Sequence, residues 1–169
     1  MNGISIRPFR GESLSEDLKK QMVALFRQLD NEEIADYSKF GLKMADADDQ
    51  YLGDMISLDS GFIAVNEANR VIGMVSNVTI KECENAMYLS KLVVDPLYRR
   101  KGIGRMLMEH AIQENYKNGN ETMLNVSVSN GAAISLYKSL GFVLHSQTMV
   151  TTLTKMSKLE ISRGNSNVR

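Results

Sequence analysis

Residues 92–105 read LVVDPLYRRKGIGR and carry the strongest structural signal in the chain. An apolar strand runs through a turn into a short loop with three basic residues and two glycines, and this loop opens a helix. Because glycine has no Cβ, a ligand can approach the backbone closely, and the unpaired N–H groups at a helix start favour an anion. The stretch therefore predicts a binding site for an anionic group.

The glycine spacing argues against two common phosphate-binding motifs. The nucleotide P-loop requires Gly, four residues and then Gly-Lys-Ser/Thr, and the dinucleotide fingerprint requires a third glycine in an early βαβ unit. Gly102 and Gly104 fit neither pattern. A nucleotide hydrolase is thus a remote alternative, since the Lys-Ser/Thr pair and an acidic magnesium site of the expected type are missing.

The same residues resemble the signature of the GNAT superfamily, the acyl-coenzyme-A-dependent N-acetyltransferases. In that signature Arg or Gln is followed by two residues, Gly, one residue, and Gly or Ala. Arg99, Gly102 and Gly104 occupy those places here. A lead-in of the form Val-x-Pro-x-Tyr precedes them, at Val94, Pro96 and Tyr98.

A second stretch, residues 130–142, reads NGAAISLYKSLGF and is similar to another GNAT hallmark, Asn-x-x-Ala-x-x-Leu-Tyr-x-x-x-Gly-Phe. Asn130 and Tyr137 are seven residues apart, about two turns, so they share one face of a helix. Taken singly, Asn130 is typical of a helix N-cap and Tyr137 of a buried aromatic residue. Their joint spacing, about 30 residues after the glycine loop, favours a functional role.

The resemblance implies that acetyl-CoA is the acyl donor. Its pantetheine arm would lie where the fourth and fifth strands splay apart, against backbone groups of the fourth strand, and its pyrophosphate would lie on the amides of residues 100–105. No acyl-enzyme intermediate is required, because a neutral amine can attack the thioester directly while a backbone N–H near Val93 stabilises the oxyanion. Tyr137, with an ordinary pKa of about 10, is the implied general acid and catalytic residue. The implied cofactor-binding residues are Leu92, Val93, Val94, Arg99, Arg100, Lys101, Gly102, Ile103, Gly104, Arg105, Asn130 and Tyr137.

The general base is left open by the sequence. Many family members carry Glu on the strand before the glycine loop, and Ser90 stands at that position here. Glu82 and Glu84 share the strand parity of Ser90 and are candidates through water, although solvated turn residues have the same pattern. His145 is a further candidate, with a structural histidine as the alternative.

The remaining elements predict the order βααβββαβαββ and one α/β domain. Its sheet is expected to be mixed, mostly antiparallel, splayed between strands 4 and 5 and flanked by helices, as in the GNAT fold. We expect a single N-acetyltransferase domain at 1–156 and a C-terminal tail at 157–169. The predicted strands are 4–10, 62–65, 71–80, 87–94, 122–128, 142–145 and 148–153, and the predicted helices are 15–29, one or two short helices in 31–58 broken at Gly41 and Gly53, 102–117 and 130–140.

Composition limits the class of protein. The chain has 169 residues, zero net charge and a single cysteine, Cys83. Zero net charge argues against a nucleic-acid partner, and one cysteine permits no internal disulfide and favours a cytoplasmic location. Neither a signal peptide nor a membrane span is expected. We expect no metal site, because the two histidines are far apart in sequence, the single cysteine has no partner, and the acidic run lacks calcium-loop spacing. Cys83 is more typical of a passive thiol, and His110, on the apolar side of its helix, is expected to be packed.

The acceptor is predicted from charge alone. Residues 30–60 hold nine acidic and two basic residues, a net charge of −7, which is typical either of solvated helix faces or of an acidic wall that attracts a cationic amine. We therefore expect a small-molecule primary amine, with a pocket formed by residues 30–60 and 145–149. A protein N-terminus or lysine as acceptor, a non-catalytic acyl-CoA sensor, and a homodimer remain open.

Overall fold

Five strands form one open mixed sheet in the computed structural model, which describes residues 3–38, 49–79, 85–126, 128 and 130–143. The strands lie in sequence order. The first four are antiparallel neighbours and the fifth is parallel to the fourth, which confirms the mixed, mostly antiparallel sheet. Their bounds are β1 Ser5–Arg10, β2 Ser60–Val65, β3 Val71–Thr79, β4 Ala86–Val94 and β5 Glu121–Met123.

Helices cover both faces of the sheet. They are α1 (Glu16–Ser38), α2 (Asp49–Leu58), α3 (Ile103–Lys117) and α4 (Gly131–Ser139), with 3-10 turns at Gly11–Ser13 and Pro96–Tyr98. Met22 and Phe26 of α1 and Ile56 of α2 pack on one face, and Leu107 and Met108 of α3 pack on the other. The chain is therefore a three-layer α/β domain with its apolar groups divided between two clusters.

The sheet opens between β4 and β5. Register pairs join the two strands at Ala86–Glu121, Met87–Thr122 and Tyr88–Met123 and at no later residue of the described chain. Two hydrogen bonds hold the closed end, from Asn77 Nδ2 to Asn115 Oδ1 (3.2 Å) and from Asn115 Nδ2 to Thr122 Oγ1 (3.1 Å). The second half of β4 is consequently left with β3 as its strand partner, as the predicted splay requires.

Four predicted element bounds are wrong. α1 continues past residue 29 to Ser38, because no glycine or proline interrupts residues 30–38. Gly53 lies inside α2 and does not break it, since burial of Ile56 offsets the helix cost of glycine, about 1 kcal/mol. β5 stops at Met123 instead of continuing to 128, and residues 142 and 143 are not in a strand. Most of the two closing strands, Gly41 and the 157–169 tail lie outside the described residues.

The structure also places His110 differently from the sequence expectation. His110 is exposed, contrary to a packed position, although its ring lies 5.6 Å from that of Phe62 and its Nδ1 is 2.8 Å from the Met106 carbonyl oxygen. Within the described ranges no helix is long and apolar enough to cross a bilayer. A search of the same ranges finds no group of three His, Cys, Asp or Glu side chains that could hold a metal ion.

Candidate active site

The glycine loop adopts the conformation that its sequence predicts. Asp95 N-caps the 3-10 turn by accepting a hydrogen bond from the Leu97 amide at 2.9 Å. Gly102 then takes a left-handed conformation, with φ of 74°, and serves as the N-cap of α3. The first helical hydrogen bond runs from the Met106 amide to the Gly102 carbonyl (3.0 Å), so the amides of residues 103–105 precede the hydrogen-bonded ladder. A helix start with free amides, at the positive end of the helix dipole, is the kind of site that suits an anion, as the sequence predicts.

The basic side chains help to build this loop. Arg99 donates from Nε to the Val94 carbonyl at 3.1 Å, which folds the loop back onto the end of β4. Lys101 donates to the Leu97 carbonyl at 3.1 Å and lies over the Tyr98 ring, 4.9 Å from its centroid. Arg100 is exposed and has a φ of 62°. The predicted cations are therefore gathered at the start of α3, where their charge adds to that of the helix dipole.

Arg105 joins the two helices of the predicted site. Its Nη2 atom donates to Ser139 Oγ of α4 at 2.6 Å, and its Nη1 atom lies 3.6 Å from Glu109 Oε1 one turn later in α3. The side chain thus fixes α4 against α3, while its backbone amide belongs to the helix start. Arg105 is placed to act through its amide more than through its charge.

The open edge of β4 presents backbone groups from alternate residues. The Asp95 amide donates to the Ile72 carbonyl of β3 at 3.0 Å. Because successive residues of a strand point their N–H and C=O groups to opposite sides, those of Leu92 and Val94 point away from β3, and those of Val93 point towards it. The side chain of Val93 is 1% exposed, in the α1/α2 core. Of the three predicted strand residues, Leu92 therefore presents its N–H and C=O at the open edge and Val94 its N–H, since the Val94 carbonyl accepts from Arg99 Nε.

The start of α3, the open half of β4 and α4 meet at Gly104. A Cβ atom at this position would lie 3.7 Å from Leu136 Cδ2, 3.8 Å from Val94 Cγ2 and 4.0 Å from Leu92 Cδ2. Tyr137, next to Leu136, is partly buried against the same apolar cluster and its ring lies 5.7 Å from that of Phe142. The two sequence motifs are consequently brought together in space.

Asn130 has a structural function in α4. Its Oδ1 atom accepts a hydrogen bond from the Ala133 amide at 3.0 Å, which makes it the N-cap of the helix. α4 ends before Gly141, which has a φ of 90°. The N-cap function that the isolated residue suggested is thus present, and a contact between Asn130 and coenzyme A remains a prediction.

The region around Ser90 contains residues that the sequence interpretation missed. Ser90 Oγ lies 2.8 Å from Ser76 Oγ, and Asp59, counted among the acids of the 30–60 segment, is only 7% exposed. Burial raises the pKa of Asp59, while a hydrogen bond from Ser76 and the charge of Lys91 lower it. The sequence signal for a buried Asp59 was the apolar strand that begins directly after it, because a carboxylate at the start of a buried strand lies beside the core. The other base candidates, Glu82, Glu84 and His145, and Cys83 lie outside the described residues.

Comparison with known proteins identifies relatives of this chain. The sequence model of the Acetyltransferase (GNAT) family matches residues 18–142. A [ribosomal protein bS18]-alanine N-acetyltransferase of Escherichia coli K12 is 54% identical over 55 residues, 32% of this chain and 37% of that protein. The peptidyl-lysine N-acetyltransferase YjaB of the same organism is 30% identical over 94 residues, 56% of each chain. The chain thus spans little more than a third to about half of these curated relatives.

Solved structures resemble the whole fold. A possible acetyltransferase from Clostridium difficile 630 superposes with a TM-score of 0.64 at 19% identity, covering 88% of this chain and 96% of that one. The aminoglycoside N-acetyltransferase AAC(6')-Iy in complex with CoA gives a TM-score of 0.64 at 17% identity, covering 87% and 92%. At these identities the likeness is one of fold. The family match extends over most of the sequence and agrees with the fold, and we conclude that the chain belongs to the acetyltransferase (GNAT) family.

Proposed function

We propose that this chain transfers the acetyl group of acetyl-CoA to the nitrogen of a primary amine. One observation carries the proposal: the α3 helix start, the free half of β4 and Tyr137-bearing α4 converge at Gly104. A helix start suits a diphosphate, and a free strand edge suits the amide-rich pantetheine arm. Their adjacency fits a ligand that carries both groups.

The diphosphate is assigned to the amides of residues 103–105. Arg99, Arg100 and Lys101 supply three positive charges within a few residues of Gly102, and charged donors strengthen hydrogen bonds to phosphate oxygens. The missing Cβ at Gly102 and its left-handed conformation let the ligand approach the backbone. The residues present therefore fit the diphosphate of coenzyme A.

The pantetheine arm is assigned to the edge groups of Leu92 and Val94. The N–H and C=O of Leu92 and the N–H of Val94 are directed away from β3, whereas the Val93 amide is directed towards it, and the Val94 carbonyl is bonded to Arg99. The backbone donor near Val93 that is available to an oxyanion is then the Val94 amide. Contacts of Val93 itself and of Asn130 with coenzyme A remain predictions.

The reaction proceeds by direct attack. The neutral amine nitrogen forms a bond to the thioester carbonyl carbon, and the oxyanion that develops accepts a hydrogen bond from the backbone. The C–S bond then breaks, its electron pair stays on sulfur, and the Tyr137 hydroxyl supplies the proton that converts the thiolate to the thiol. The nitrogen, positively charged after attack, loses one proton, the C=O bond re-forms as sulfur leaves, and Tyr137 recovers a proton from solvent, so the net result is an amide and free CoA.

The acceptor is proposed to be a small-molecule amine, on the acidic composition of residues 30–60. The α1 and α2 helices that carry much of this segment cover the face of the sheet that also bears Ser90. A second candidate, a protein N-terminal amine, is favoured by the 54% identical stretch shared with the alanine N-acetyltransferase. A cytoplasmic location and a homodimer are further proposals, which fractionation and light scattering would test.

The proposed function is tested in two steps. Calorimetric titration with CoA should show heat and a raised melting temperature, and silence at millimolar CoA would refute the proposal. Release of free thiol from acetyl-CoA is then followed with spermidine, an aminoglycoside, a peptide beginning with alanine and a lysine peptide with a blocked N-terminus. Release that depends on an amine supports the transferase and identifies its acceptor class, whereas CoA binding without release would show a non-catalytic acyl-CoA sensor.

A further inference from the structure

A pair of serine hydroxyls connects the open edge of β4 to the interior of the sheet. Ser76 Oγ of β3 and Ser90 Oγ of β4 are 2.8 Å apart. Ser76 is fully buried and Ser90 is partly exposed. In the β3–β4 register Ser76 faces Lys91 and Asn77 faces Leu89, so Ser90 is the extra residue of a β-bulge. The bulge turns Ser90 towards Ser76, two residues beyond the last β4–β5 pair.

Asp59 lies at the buried end of this chain of hydroxyls. Ser76 is the register partner of Gly61, two residues after Asp59, and a hydrogen bond from its hydroxyl lowers the pKa of the Asp59 carboxyl. The backbone of Asp59 is held from two sides, because its amide donates to the Ile56 carbonyl at 3.2 Å and its carbonyl accepts from the Gly11 amide at 2.8 Å. The carboxylate is therefore fixed between α2 and β2 and reaches solvent poorly.

The direction of the hydrogen bonds follows from the number of protons. A serine hydroxyl has one proton, and either serine can be the donor in the 2.8 Å contact between Ser76 Oγ and Ser90 Oγ. When the Ser76 proton is directed to the Asp59 carboxylate, the direction that lowers the pKa of Asp59, Ser76 Oγ is the acceptor and Ser90 is the donor. The lone pairs of Ser90 Oγ are left to accept a proton from the open side. The three groups thus form an oriented path from the opening to the carboxylate.

We propose that Ser90, Ser76 and Asp59 form a proton relay that takes the proton from the attacking amine during acetyl transfer. This inference rests on the proposed function and supplies its missing base. As the C–N bond forms, the ammonium proton passes to Ser90 Oγ, the Ser90 proton to Ser76 Oγ and the Ser76 proton to the Asp59 carboxylate. Asp59, which does not touch the substrate, becomes a carboxylic acid and returns its proton to solvent by the reverse path after the product leaves.

The surroundings of Asp59 are suited to a base. Burial raises its pKa above the ordinary value, which makes the carboxylate a stronger proton acceptor than an exposed one. The charge of Lys91, from β4, acts in the opposite direction and lowers this pKa. β3 presents only the Ser76 hydroxyl and the Asn77 amide near this position. Among the charged side chains that the structure describes on the other adjoining elements, Arg10 on β1, Glu12 on the 3-10 turn, Arg27 on α1 and Asp54 on α2 are exposed.

The experiment compares kcat and its pH dependence in wild type, Asp59→Asn and Ser90→Ala, using the amine that gives the fastest thiol release. Both variants should lose kcat on the order of 100-fold at neutral pH, the scale of general-base catalysis, with an unchanged Kd for CoA. The wild-type kcat should rise with pH through the pKa of Asp59, and both variants should lack this rise. Ser90→Thr, which keeps a hydroxyl, should recover most of the loss.

Ser57→Ala is the matched control, because the Ser57 hydroxyl lies two residues from Asp59 but bonds to the Gly53 carbonyl at 2.8 Å. Its kcat should match that of wild type. If Ser90→Ala and Asp59→Asn keep the wild-type kcat and pH profile, the relay is refuted and acetyl transfer stands. If wild type binds CoA but releases no thiol with any amine, the proposed function and the relay are refuted together.

Discussion

Arg70 Nη2 lies 2.6 Å from Asp95 Oδ2, an ion pair between the β2–β3 turn and the residue that begins the glycine loop. The Asp95 side chain is 3% exposed and also caps the 3-10 turn through the Leu97 amide. The Asp95 carboxylate therefore holds the backbone just after β4 in place through two contacts, one to Arg70 and one to the Leu97 amide. The path of residues 99–102 to the start of α3 depends on the position of this backbone.

Replacement of Asp95 by alanine should weaken both folding and CoA binding. The variant loses the cap and a charge-assisted hydrogen bond, which together should lower the free energy of unfolding by about 1–3 kcal/mol. CoA affinity should fall because the helix start is less well positioned. Urea unfolding and calorimetric titration measure the two effects.

Asp95→Asn is the matched control. It keeps an oxygen for the Leu97 amide, but its NH2 group replaces the oxygen that accepts from Arg70, so the Arg70 side chain, which is 55% exposed, turns to solvent. Pairs with an exposed partner contribute about 0–1 kcal/mol, so this variant should lie close to wild type. An equal loss in both variants would mean that charge, and not capping, fixes the loop.

Gly104 gives a steric test of the arm-binding surface. Gly104→Ala should leave the Kd for CoA unchanged, because the new Cβ would meet its nearest atoms at 3.7 Å or more. Gly104→Leu should weaken binding by about tenfold or more, since overpacking costs about 1–3 kcal/mol and the extra carbons must displace Leu136 or Val94. Calorimetry measures the Kd, and a wild-type Kd for the leucine variant would show that the pantetheine arm does not bind at this surface.

Motifs within a few residues were predictable, because their conformations are set locally. The N-cap at Asn130, the helix that begins at the glycine loop and the helix end before Gly141 each depend on a few neighbouring residues, and the structure contains all three. The length of α1 was less predictable. The predicted end at residue 29 was too early, because the acidic residues that follow it, several of them Asp, are as typical of loops and caps as of a helix.

Relationships between distant residues could not be predicted from one sequence. The contact between Ser76 and Ser90 depends on a bulge that displaces the β3–β4 register by one residue, and alternation along a regular strand does not reveal it. Arg70 and Asp95 are 25 residues apart. Asp59 was grouped with solvated acids because its burial is decided by α2 and β3, which are separate elements of the fold.

Removal of the Tyr137 hydroxyl should separate catalysis from binding. Tyr137→Phe should lower kcat on the order of 100-fold, the scale of general-acid catalysis, and leave the Kd for CoA unchanged because the ring still packs near Phe142. Thiol release and calorimetry give the two values. Tyr116→Phe is the control, since Tyr116 is 81% exposed on α3 and should keep the wild-type kcat. An unchanged kcat in Tyr137→Phe would end its assignment as the acid.

Asp59→Asn should make the protein more stable at neutral pH while it slows the reaction. Because burial raises the folded-state pKa of Asp59 above the value of about 3.9 expected in an unfolded chain, the folded state binds more protons between the two values. Wild-type stability therefore falls as pH rises through that window, and the penalty persists at higher pH. Asn carries no charge to desolvate and still accepts the hydrogen bond from Ser76, so it avoids this penalty. Urea unfolding at pH 7 and near pH 4 should show an advantage for Asp59→Asn that shrinks at the lower pH, and a variant less stable than wild type at pH 7 would mean that the ionised carboxylate contributes to holding β2 and β3 together.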